Sequence, residues 1–93
     1  MKIPEEFKYL ATCFYSRSDL EHATAQEWVG STVKNFLPVE KRKIVKKFLD
    51  GLLSGEHSDD DLQRVWENLD SDYRFRGGAD VRTFFTMIRD MSE

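Results

Sequence analysis

Cysteine is nearly missing from this sequence of 93 residues, and the one present, Cys13, cannot close an internal disulfide. A domain this small in an oxidising compartment generally depends on disulfide staples, so the chain is expected to work in a reducing cytoplasm. No apolar run approaches the roughly 20 residues of a membrane span. Met1-Lys2-Ile3-Pro4-Glu5-Glu6 leads into no apolar segment of signal-peptide length. The expectation is a protein neither embedded in a membrane nor exported by that route. Prolines number two and glycines five, and no low-complexity tract or internal repeat is visible. No segment sustains the alternation of a strand.

What is present is a core. Hydrophobic residues make up 40% of the chain and aromatics 13%, while the 33% that is charged is interleaved with them, which argues against disorder. The length leaves no room for a second independent core, so residues 1–93 are read as one domain. A net charge of −3 argues against a general nucleic-acid binder, because phosphate recognition needs concentrated positive charge. The charge is uneven, with nine Lys/Arg against seven Asp/Glu in residues 1–50 and five against ten in residues 51–93. The second half is therefore the better surface for a basic partner.

Helical periodicity appears five times. Phe7, Leu10, Ala11 and Phe14 share one face of a first helix expected over Pro4 to Ser16, followed by a polar break in which Leu20 anchors the loop. Thr24-Ala25-Gln26-Glu27 reads as a capping box opening a second helix with the stripe Trp28, Val29, Val33, Phe36 and Leu37, and Pro38 ends it. A third, from Val39 to Ser54, carries Ile44, Val45, Phe48, Leu49, Leu52 and Leu53, with Gly55 in place to stop it and Gly51 inside it at a cost of about 1 kcal/mol relative to alanine. Ser58 followed by Asp59, Asp60 and Asp61 caps a fourth, whose inner face is Leu62, Val65, Trp66 and Leu69. Asp80 caps a fifth with the stripe Val81, Phe84, Phe85, Ile88 and Met91. The fold class is all-α, a single five-helix orthogonal or bundle-like domain.

Catalytic chemistry finds no footing. Cys13 beside an apolar stripe, with His22 and His57 at no activating spacing, reads as a buried inert thiol. His57 with Asp59, Asp60 and Asp61 lacks a second ligand group and the calcium-loop pattern, and helix capping already accounts for the carboxylates. Gly77-Gly78 has neither the longer glycine pattern nor the preceding strand of a phosphate loop, which makes it a turn. No catalytic residue, metal or cofactor is expected.

Three surfaces remain as binding candidates. Asp59, Asp60, Glu67 and Asp70 can project away from the apolar stripe of the fourth helix, with Asp72 at its exit, as a solvated face or an acidic docking surface. Tyr73, Arg74, Phe75 and Arg76 follow in a loop and are residue types that often carry interface energy, although they can equally tuck onto the core. Lys41, Arg42, Lys43, Lys46 and Lys47 form one basic stripe on the third helix, able to lie along a nucleic-acid backbone but more often merely solvated.

The order of these features resembles the small immunity proteins of bacterial contact-dependent growth inhibition systems. Phe14, Asp19, Leu20 and Glu21 are similar to the ends of a family motif, whose histidine-to-tryptophan centre is replaced here by Tyr15 to Ser18. Thr24 to Val29 is similar to the capped second helix, Phe48 to Leu53 to the leucine-rich end of the third, and Ser58 to Leu62 to the acidic start of the fourth. Asp72-Tyr73, the glycine loop and Val81 to Phe85 are similar to the closing segment. The resemblance implies a cytoplasmic inhibitor that forms a 1:1 heterodimer with the C-terminal toxin domain of a large secreted protein and blocks its active site. Many such toxins are nucleases, often acting on transfer RNA. A toxin built to hold RNA is basic, and an acidic surface complements it. The expected contact residues are Asp59, Asp60, Glu67, Asp70, Asp72 and Tyr73 to Arg76, with no membrane and no direct nucleic-acid contact. The alternative is a small nucleic-acid-binding regulator using Lys41 to Lys47.

Overall fold

The computed structural model describes residues 3–14, 23–69, 71 and 78–92, with Gly78 and Ala79 in backbone only. Among these residues lie five helices and no strand: α1 (Glu5–Cys13), α2 (Ala25–Phe36), α3 (Val39–Ser54), α4 (Asp59–Glu67) and α5 (Gly78–Met91).

Local chemistry sets each start. Pro4, extended at ψ 146°, precedes α1, and its carbonyl accepts the Phe7 and Lys8 N–H groups while Glu5 and Glu6 meet the positive end of the helix dipole. The Thr24 side chain accepts the Glu27 N–H at 3.1 Å, so the forward half of the expected box opens α2. At α4 the box is complete: Asp61 N–H donates to Ser58 Oγ at 3.1 Å and Ser58 N–H donates to Asp61 Oδ2 at 3.2 Å. Between α2 and α3, Arg42 reaches back to donate to the Leu37 carbonyl at 2.7 Å and the Lys34 carbonyl at 3.3 Å. It thereby satisfies carbonyls that the end of α2 leaves open.

Helix α5 packs on α2, α3 and α4, and α1 closes against α2 and α3. The centre is aromatic. Phe84 of α5 lies 4.9 Å from Phe14, 5.2 Å from Trp66 and 5.6 Å from Trp28 between ring centroids. Phe85 continues the chain of rings to Trp66 at 6.1 Å and Phe7 at 5.6 Å, and Phe7 ends it on Phe48 at 5.3 Å. The three T-shaped pairs among them, Phe84 with Phe14, Phe84 with Trp66 and Phe85 with Phe7, add about 0.5–1.5 kcal/mol each beyond the area they bury. Gly30 faces the end of α5, where a Cβ would stand 3.4 Å from Met91 Sδ, an ordinary van der Waals contact. Among the described residues every buried side-chain nitrogen and oxygen has a hydrogen-bond partner.

Several expectations need correction. Helix α1 ends at Cys13 rather than Ser16, with Phe14 extended behind it and buried. Asp80 lies in the first turn of α5, which is already helical at Gly78, and so is not its cap. Phe36 and Ile44, both assigned to inner stripes, are 47% and 43% exposed. The α3 stripe explains Ile44: at 100° per residue, Ile44 to Leu53 spread over about 180° of the helix. Val45, Leu49 and Leu52 at the middle of that arc are buried, Phe48 and Leu53 are partly buried, and Ile44 at the edge is not. Leu20 lies outside the described residues.

Candidate interaction surfaces

The capping box that fixes α4 also decides what its carboxylates can do. Asp61 is turned back onto Ser58 N–H. Asp59 is not free either: its Oδ1 accepts Arg82 Nε at 2.5 Å, while Arg82 donates a second bond to the His57 carbonyl at 2.6 Å. Asp59, expected to project outward, is instead half-buried in a clamp between α5 and the start of α4. That leaves Asp60 and Glu67, both exposed and unpaired among the described residues. They are two helical turns, about 10.5 Å, apart along one edge. Arg64 is exposed between them and makes no ion pair among the described residues, so the edge alternates in charge where the sequence reading counted only its acids. Asp70, Asp72, Tyr73, Arg74, Phe75 and Arg76 lie outside the described residues.

The basic stripe of α3 divides in the same way. Arg42 is engaged at the α2–α3 junction, and Lys46 Nζ sits 3.1 Å from Asp50 Oδ2. Lys41, Lys43 and Lys47 are exposed and unpaired among the described residues.

Beside Lys47 the structure shows a feature that sequence reasoning missed. An open groove of about 660 Å³ runs along α3, floored by Pro4, Ile44, Phe48 and Leu52, with Gly51 in its wall and Lys47 and His57 as its polar groups. Two signals of it were present in the sequence: an apolar stripe too wide for one helix to bury, and a glycine within the helix. A Cβ at Gly51 would meet nothing within 4 Å among the described residues, and their packing does not demand glycine there.

Cys13 is partly rather than fully buried, its Sγ 3.5 Å from the Tyr9 carbonyl. Burial pushes its thiol above the ordinary value, and hydrogen bonding with Thr12 and Tyr9 only partly offsets this. A raised thiol pKa is the opposite of nucleophilic activation. Among the described residues no three His, Cys, Asp or Glu side chains come together to hold a metal ion. No helix among them is long and apolar enough to cross a membrane.

No known protein family, curated protein or solved structure matches the chain. The functional reading therefore rests on the residues and their placement.

Proposed function

We propose that this chain is an immunity protein, binding the C-terminal toxin domain of a large secreted contact-dependent inhibition protein as a 1:1 complex and covering its active site in the cytoplasm. The sequence resemblance suggests the class, with a nuclease, and among nucleases one directed at transfer RNA, as the cognate toxin. The observation that carries the reading is the row Asp60, Arg64, Glu67 on α4: three exposed charged groups on one edge, none engaged within the described part of the chain, beside neighbours that are. Such a row fixes register and speeds encounter with a complementary surface more than it adds affinity.

The alternative, nucleic-acid binding through α3, is weakened because two of its five cations, Arg42 and Lys46, are already engaged by groups of the fold itself. A phosphate-tracking surface loses affinity with each cation removed from it.

Co-expression tests the proposal. The toxin domain encoded immediately upstream is expressed in a test bacterium with and without this protein, and survivors are counted. Protection is expected, and it should weaken when Asp60 and Glu67 are both changed to lysine. A toxic upstream domain against which the unaltered protein gives no protection would sink the reading.

A further inference from the structure

We infer that the groove between Pro4 and α3 is a docking site for an acidic, apolar segment of a partner protein. The inference uses none of the α4 carboxylates and stands apart from the toxin reading.

Three observations converge on this occupant. The floor is apolar and Ile44, on its open side, is 43% exposed, so the groove offers a binding contact that the fold itself leaves unused. Among the described residues its lining contains the Lys47 ammonium and the His57 imidazole and no carboxylate, and Lys47 has no ion-pair partner. A segment presenting Asp or Glu beside apolar side chains complements that lining, whereas a basic segment meets Lys47 as a like charge. Gly51 supplies the third observation. A glycine inside a helix weakens it, and here the missing side chain makes no room for any neighbour among the described residues. It does keep the groove wall bare, which is what close approach of a ligand requires.

The dimensions suit a short segment. From Ile44 to Leu52 the α3 wall spans nine residues, about 12 Å from first to last, which matches about two turns of a docked helix. A concave floor with one ammonium at its edge favours an inserted side chain over a phosphate backbone, which needs a row of cations.

The test immobilises the full chain and selects from a random-peptide phage library, with counter-selection on the Gly51→Gln variant. Glutamine is a better helix former than glycine, and the site is open, so this variant stays folded while its side chain enters the groove. Enriched peptides are expected to combine apolar residues with Asp or Glu. Their synthetic versions should bind about tenfold or more weakly to Gly51→Gln, Ile44→Glu and Lys47→Glu, each checked by circular dichroism for native helix content. Failure to enrich over the counter-selection, or enrichment of basic peptides, overturns the assignment. So does self-association of the protein that Ile44→Glu abolishes, since the groove is then a contact between copies. Binding of a homopolymeric single-stranded RNA that is lost in Lys47→Glu, without peptide binding, overturns it in favour of the nucleic-acid alternative.

Discussion

The hydroxyl of Ser71 donates to the backbone carbonyl of Phe14 at 2.6 Å, tying the chain just after α4 to the end of α1 across 57 residues of sequence. Both residues are buried. A buried carbonyl deprived of its donor bears a desolvation penalty that an exposed one avoids by turning to water. Ser71→Ala should therefore lower stability by about 1–2 kcal/mol in urea unfolding. Thr12→Ala, which removes a 2.6 Å bond to the Tyr9 carbonyl on an exposed face, should cost no more than about 0.5 kcal/mol. Equal costs would show that burial does not govern the Ser71 bond.

Arg82 and Asp59 yield a second prediction. The pair is partly exposed, with side chains 38% and 48% accessible, so solvent screens it and each alanine variant should cost only about 1 kcal/mol. Arg82→Ala should cost more than Asp59→Ala, because it also abandons the His57 carbonyl. In a double-mutant cycle the two costs should sum to more than the double variant loses. Strict additivity would mean that the ion pair contributes nothing.

Gly51→Ala should stabilise the protein by about 0.5–1 kcal/mol, because the added methyl meets no atom of the described residues and the helix gains alanine's propensity. A higher urea midpoint at unchanged slope is the expected result. A drop in stability would mean that the backbone at Gly51 is under a constraint the structure does not display.

Cys13 gives the pH prediction. Its thiol pKa is raised in the folded state by burial, so between the unfolded and folded values the native chain holds a proton that the unfolded chain has lost. The stabilising effect is thus complete below the unfolded value of about 8.5 and declines as pH rises above it. Cys13→Ala should flatten that alkaline decline. Iodoacetamide at pH 8 should modify Cys13 more slowly in the native protein than in urea, and equal rates would refute a protected thiol.

How much of this was legible in advance follows from the range of each interaction. The Ser58 cap and the Val39 and Ser54 limits of α3 are decided within a few residues, and the structure places them where the sequence does. Asp59 is different, because its partner Arg82 is 23 residues away and nothing in the local pattern separates it from Asp60. Arg42 is indistinguishable in the sequence from the other cations of the α3 stripe for a related reason: its partners are carbonyls, which sequence patterns do not display. Ile44 and Phe36 carry the right periodicity for a core, but their exposure depends on how many helices surround them. Phe36 is the last residue of α2, beside the turn into α3.

The placement of α5 has a consequence for synthesis on the ribosome. Phe84 is the ring on which Phe14, Trp28 and Trp66 converge, yet it is translated 70 residues after Phe14. At about 5–20 residues per second, Phe14 waits roughly 4–14 s for Phe84. During that interval α1 to α4 have no α5 against which to bury their inner faces. The nascent chain is then most vulnerable to aggregation, and a chaperone that shields aromatic segments would raise its yield without touching the folded state.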